Sequence, residues 1–281
     1  MIRFSNEHIE PLIRQMWKVC FEDTEAFINL IFTQKYRPEN TLVYFENDMA
    51  VASLQMHPYT ISFYGEEIPF AYLAGLCTLP EYRNKGYMAQ LINKAHQILE
   101  DRNIPLAILI PAEDWLFRFY EKFDYEQVFD KSEEPIYSLN KILAENPDLE
   151  SAYSSFDSLY RHKDFCVQKS FEDFKTIVEE YKNDKFPEKY NLAGMARTID
   201  NSYLLKLFAI KNPSLSIRIK TEGQAYLIDK GTIGETQEDS DIEINRRMLC
   251  RLLFGYKTNE LDKPLQTIFA EHHSVMNLML E

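Results

Sequence analysis

Between Leu79 and Met88 the chain reads Leu-Pro-Glu-Tyr-Arg-Asn-Lys-Gly-Tyr-Met. This is a basic turn with a glycine, set after a strand-like segment and just before an amphipathic helix. Such a turn leaves several backbone N–H groups unpaired at the helix start, where the helix dipole adds positive potential. Residues 83–88 therefore supply what a phosphate or diphosphate needs: main-chain donors from Arg83, Asn84, Lys85, Gly86, Tyr87 and Met88, charge from Arg83 and Lys85, and close approach at Gly86. A solvated turn that merely caps a helix has the same composition, so the motif gains meaning only from its surroundings.

Those surroundings are regular. Met88, Leu91, Ile92, Ala95, Ile98 and Leu99 recur at helical spacing after the turn. Ahead of it, 41–45 with 50–56 and 59–64 with 68–74 read as two β-hairpins, the last strand running on through Gly75 to Thr78. Ile104–Ile110 is a short continuous apolar run, the mark of a strand buried on both faces, and Pro111 stops it. A helix carrying Trp115, Leu116, Phe119, Tyr120 and Phe123 follows, then a strand near Tyr125–Phe129. Residues 7–36 are helical by period. The expected fold class is α/β (α+β): a mixed, mainly antiparallel sheet with one parallel crossover, flanked by helices.

The turn and the helix resemble, together, the GNAT superfamily of N-acetyltransferases. That family's acetyl-CoA motif, Arg/Gln-x-x-Gly-x-Gly/Ala after a strand ending in x-x-Pro-x-x, is matched at Pro80, Arg83 and Gly86. Met88 stands where a small residue is usual. Phe119-Tyr120-Glu121-Lys122-Phe123-Asp124-Tyr125 looks like the family's F-Y-E-K-F-G-F element, with Asp124 in place of glycine. The resemblance implies acetyl-CoA as cosubstrate and no metal. It implies a pantetheine arm paired with the main chain at Leu76, Cys77 and Thr78, and Tyr120 as the acid that protonates the departing thiolate. Tyr120 also shares a stripe with apolar residues and reads equally as core.

An attacking amine with a pKa of about 10 must lose a proton first. Glu113 and Asp114 follow the buried strand and qualify as the base, although acidic residues there commonly cap a helix. His57 is another candidate.

Residues 195–256 resemble the sterol-carrier-protein-like C-terminal domain of the Eis (enhanced intracellular survival) group of GNAT enzymes. The carrying stretches are Met195–Asp200 with Leu204 and Leu205, and Asp241–Asn245 followed by Leu249–Tyr256. In that group a second, degenerate acetyltransferase domain lies between the two parts, and here only residues 141–190 separate them. The expected organisation is an acetyltransferase domain at 1–140, a helical linker or reduced middle domain at 141–190, with a linker at Asp184–Glu188, and a sterol-carrier-protein-like domain at 191–281. The group's hexameric assembly is not carried over, and a homo-oligomer stays open. Its chain-terminal carboxylate can serve as base, which here points to Glu281 at the end of the apolar tail Val275–Leu280.

Composition sets outer limits. A net charge of −13 argues against nucleic acid or an anionic membrane surface as partner and favours cationic small molecules or peptide amines. The four cysteines, Cys20, Cys77, Cys166 and Cys250, have no metal-ligand spacing and read as reduced thiols of a cytoplasmic protein. No signal peptide or membrane span is evident. The leading expectation is acetyl transfer to a primary amine. The competing one is a non-catalytic acyl-CoA- or lipid-binding regulatory or scaffold protein on the same fold.

Overall fold

A computed structural model describes residues 1–183, 185 and 188–280. The strands are β1 (Ile2–Phe4), β2 (Thr41–Glu46), β3 (Met49–Phe63), β4 (Glu66–Thr78), β5 (Leu106–Leu109), β6 (Glu126–Phe129), β7 (Val167–Gln168), β8 (Gly194–Thr198), β9 (Ser216–Thr221), β10 (Gln224–Asp229), β11 (Thr232–Glu235) and β12 (Ile242–Glu243). The helices are α1 (Glu10–Cys20), α2 (Glu25–Gln34), α3 (Tyr87–Asp101), α4 (Asp114–Glu121), α5 (Leu139–Glu145), α6 (Leu149–Tyr160), α7 (Phe171–Asn183), α8 (Asn201–Lys211), α9 (Arg246–Leu253) and α10 (Lys263–Ile268).

The main sheet runs β1-β2-β3-β4-β5-β8-β6, with β7 added to β3. Its pairings are antiparallel except β4 with β5, the expected parallel crossover through α3. Helix α3 packs one apolar face on the sheet through Leu91, Ile92, Ala95 and Leu99. Helices α1, α2, α6 and α7 form a second cluster around Trp17, Phe32, Phe156 and Phe174. The smaller sheet, β11-β10-β9-β12, packs with α8 and α9 through Ile219, Ile228, Leu204 and Leu252. Asn245 caps α9, its Oδ1 accepting from Met248 N at 2.8 Å.

Two elements differ from the sequence reading. The strands expected at 50–56 and 59–64 are one strand, β3, which passes straight through Pro58. Proline is tolerated there because β2 stops pairing at Gln55 and β7 starts at Thr60, leaving Pro58 in a gap on that edge. The strand at 194–198 does not join the smaller sheet. It lies between β5 and β6, with Ile108↔Ala196 on one side and Glu126↔Ala196 on the other, so the main sheet draws on segment 191–281 as well as on 1–140.

The tail after α10 is extended rather than helical. Val275 N donates to Phe165 O at 2.9 Å and Val167 N to Val275 O at 3.0 Å, and Met276 to Leu280 are buried. Asp184, Phe186 and Pro187 of the expected linker, and Glu281, lie outside the described residues.

Candidate active site

The site begins with a fault in β4. Ser53 pairs with Cys77 and Gln55 with Ala74, so Gly75 and Leu76 together face Leu54 alone, which is a β-bulge. Gly75 sits at φ +58°, and a Cβ there would lie 2.5 Å from Trp17 Cζ3. Both the backbone and the space require glycine. On its other edge β4 pairs with β5 only from Phe70 to Tyr72. Beyond that β5 ends at Leu109 and turns away at Pro111, so Leu73–Thr78 has no strand neighbour on that edge among the described residues. An extended ligand with amide groups can occupy it as an additional strand.

From Thr78 the chain passes a short 3-10 turn at Pro80–Tyr82 into α3. Tyr82 and Arg83 N–H are used within the turn, and Gln90 N begins the helical pattern with Gly86 O. The N–H groups of Asn84 through Ala89 have no hydrogen-bond partner among the described residues. Left-handed geometry at Asn84 (φ +62°) and Gly86 (φ +79°) curls them into one turn, and a Cβ at Gly86 would meet nothing within 4 Å. This is a preformed anion cradle at the start of a four-turn helix. Met88 is half-buried against the α3 core with its N–H still free, so the departure from the family pattern leaves the donor in place. Arg83 Nε donates to Thr78 O at 3.2 Å, and Lys85 pairs with Glu46 at 3.4 Å over the Tyr82 ring. Tyr87 also donates to Glu46.

Bulge and splay open into a cavity of about 620 Å³. Tyr72–Leu76 form its floor, Trp17, Phe21 and Phe27 one wall, and Ile110–Asp114 with Tyr120 the other. Tyr120 is 6% exposed, packs against Phe119 and Tyr125, and its hydroxyl has no hydrogen-bond partner among the described residues. Burial pushes its phenol up to about 12, so it stays protonated and able to donate at any physiological pH. Glu113 lines the rim, and its side chain does not cap α4; Oε2 accepts from Trp115 Nε1 at 2.7 Å. Asp114, also at the rim, is in the first turn of α4.

His57 lines the cavity too, but burial and the nearby Lys35 ammonium hold its imidazole down to about 3. So weak a base does not deprotonate an alkylammonium, which removes His57 from that role. Leu280, the last described residue, lines the cavity, while Glu281 lies outside the described residues.

The structure therefore brings Leu76, Glu113 and Tyr120 to one cavity and continues it along β4 through Cys77 and Thr78 to the turn at 83–88. Sequence reasoning missed the contribution of α1 and α2 and, on the polar face of β3 that carries His57, Gln55 and Tyr59. Its signal was present in the strand alternation. Cys20, from α1, donates from Sγ to Thr78 O at 3.5 Å. Contact with the Cys77 thiol, aided by Arg83, holds its thiol down to about 7.

Comparison with known proteins agrees with this geometry. Residues 1–128 match the acetyltransferase (GNAT) domain family. A conserved protein of unknown function from Enterococcus faecalis V583, described as a probable N-acyltransferase, superposes with TM-score 0.71 at 13% identity, over 98% of this chain and 97% of that one. A GCN5-related N-acetyltransferase from Kribbella flavida gives 0.66 at 12% identity over 98% and 96%. Eis1 from Mycobacterium abscessus gives 0.60 at 12% over 91% and 90%. At these identities the likeness is one of fold. No curated protein sequence matches the chain. Residues 1–128, just under half of the chain, are thus similar to GNAT acetyltransferase domains, and the whole chain shares the fold of these structures.

Proposed function

We propose that this protein moves the acetyl group of acetyl-CoA to a primary amine of a small molecule or peptide. The observation that carries the reading is continuity: the free N–H groups of Asn84–Ala89, the unpaired edge of β4 and the Tyr120 cavity lie on one path. The diphosphate fits the cradle, with Arg83 and Lys85 adding charge, and the pantetheine amides fit the edge at Leu76–Thr78. The thioester then reaches the bulge, where a main-chain N–H polarises its carbonyl oxygen. Such preorganised donors contribute about 3–4 kcal/mol to acyl transfer. The amine nitrogen attacks the carbonyl carbon and the C–S bond breaks. Tyr120 supplies a proton to the leaving sulfur and regains one from the amine side.

For the base on that side we retain Glu113, at the rim of the cavity, and Glu281, as the sequence suggests. The smaller sheet with α8 and α9 is assigned the sterol-carrier-protein-like layout expected from the sequence. Its inward residues, Ile217, Ile219 and Ile228, are spent on packing, which supports a scaffolding role. Four free thiols support a reducing, cytoplasmic setting. No helix among the described residues is long and apolar enough to cross a membrane.

Titration calorimetry with acetyl-CoA, followed by thiol release with a panel of amines, tests the assignment. Tyr120→Phe should lower kcat by about 10²-fold or more with acetyl-CoA affinity nearly unchanged. An unchanged kcat would show Tyr120 to be core only. Acetyl-CoA binding without turnover of any amine would favour a non-catalytic acyl-CoA-binding protein.

A further inference from the structure

The acceptor end of the cavity carries polar groups with nothing to bind. Gln55, His57 and Tyr59 alternate along β3 and so share one face. His57, which lines the cavity, is 5% exposed and its Nε2 is buried without a hydrogen-bond partner among the described residues; Gln55, 1% exposed and next to the bulge on the same strand face, has both amide atoms in the same state. Each such orphan carries a desolvation penalty that is relieved when a ligand supplies the missing partner. Burial holds the ring neutral, so one ring nitrogen carries a proton and the other a lone pair, and Nε2 presents one of the two to a ligand.

Position and charge define what fits. His57 lies opposite Tyr72, while the bulge is at Gly75–Leu76. At ~3.3 Å per residue the two ends are roughly 10–13 Å apart along β4. Between them stand aromatic walls, with Trp17 and Phe117 near the bulge and Tyr59 and Tyr72 farther in. The carboxylates sit at the bulge end: Asp23, which accepts from Trp17 Nε1 at 2.7 Å, and Glu113 with Asp114 after β5. The far end holds Lys35, whose Nζ lies 4.5 Å from the Tyr59 ring centre and is paired with Asp173, and none of the carboxylates that line the cavity. An ammonium is drawn to the bulge and a second one is repelled from the interior.

The geometry points to an acceptor with a single amine, an apolar body of aromatic size and an uncharged hydrogen-bonding group at its far end, paired with His57 Nε2. This rests on the acetyltransferase reading and narrows it, setting polyamines and aminoglycosides aside despite the acidic net charge. A site built to pair a polar group rejects the analogue that lacks it far more strongly than it rejects a missing methylene.

Tyramine and phenethylamine, which differ only in the far hydroxyl, are the direct probes, with spermidine and kanamycin as polycationic competitors. Acetyl-CoA binding is measured first by calorimetry, then CoA release with each amine. The expected result is kcat/KM at least 10-fold higher for tyramine than for phenethylamine, and higher for either than for the polycations. In His57→Leu the tyramine to phenethylamine ratio should fall to near one, whereas His57→Gln, which keeps an acceptor, should retain most of it. Calorimetry on each variant verifies that the acetyl-CoA site is intact. Preference for spermidine or kanamycin, or an unchanged ratio in His57→Leu, overturns this inference and leaves the acetyltransferase reading standing. Failure of acetyl-CoA to bind the unaltered protein overturns both.

Discussion

Lowering the pH from 7.5 to 5.5 should destabilise this protein steeply, because it buries two imidazoles uncharged. His57, 5% exposed, is held down to about 3 by burial and by Lys35. His96, 8% exposed and hydrogen-bonded to Tyr125 at 3.0 Å, is held down to about 2 by burial and by Arg197 and Arg246. In the unfolded chain both take up a proton near 6.5. Their folded values are depressed, so the unfolded state binds more protons throughout the interval between. Stability is therefore complete above 6.5 and is lost as the pH falls through it, down to about 3. Each histidine forfeits about 1.4 kcal/mol at pH 5.5 and about 2.7 kcal/mol at pH 4.5, so the pair forfeits about 3 and about 5 kcal/mol. Against a typical total of about 5–15 kcal/mol, that is enough to bring the protein close to unfolding while its carboxylates are still mostly ionised. His272 shifts in the same direction and adds a smaller share. Urea midpoints at pH 7.5, 6.5 and 5.5 measure the loss directly. His57→Gln removes one of the two groups and should remove about half of it. A midpoint that stays level from pH 7.5 to 5.5, or a slope that His57→Gln leaves untouched, would refute the reasoning.

The remaining predictions concern the cofactor path and one buried lysine. Gly86→Ala forces a side chain into left-handed backbone, which costs about 1–2 kcal/mol, and should weaken acetyl-CoA binding in calorimetry; equal affinity would remove Gly86 from the cradle. Cys20, with a thiol near 7 beside Thr78 and Arg83, should react with iodoacetamide faster than the other cysteines. Saturating CoA should slow that reaction, and mass spectrometry showing no protection would place the cofactor elsewhere. Lys169 is 3% exposed, faces the Met279 sulfur at 3.3 Å and is held down to about 7 by burial. A depressed lysine penalises folding below its usual range and relents as the pH rises from about 7 towards 10.5. Lys169→Met should therefore raise the urea midpoint more at pH 7 than at pH 10, and a gain that is the same at both would refute this.

What was legible in the sequence is what local pattern encodes. The period of Met88–Leu99 and the apolar run ending at Ile110 each became the element they suggested, because the cause lies within a few residues. The break read between 56 and 59, at Pro58, did not. A proline normally ends a strand, and only the long-range fact that neither β2 nor β7 reaches it allows β3 to continue. The destination of 194–198 was equally hidden: an apolar strand does not announce which sheet takes it. In the site, the turn at 83–88 and Tyr120 carried recognisable spacing. The bulge did not, since Gly75 reads as an ordinary glycine until Trp17 is seen 2.5 Å from its missing Cβ. Nor did His57, whose meaning depends on Nε2 having no partner among the described residues.

The position of β8 bears on how the chain is made. The family match ends at residue 128, yet the sheet is not joined across β5 and β6 until residue 198 arrives. At about 5–20 residues per second, a ribosome needs roughly 4–14 s to synthesise that interval. During this time β5 and β6 wait with hydrophobic edges open to neighbours. The nascent half that matches the family is thus a client of whatever shields exposed strands, and a message truncated after β6 would release an unfinished sheet rather than a smaller closed domain.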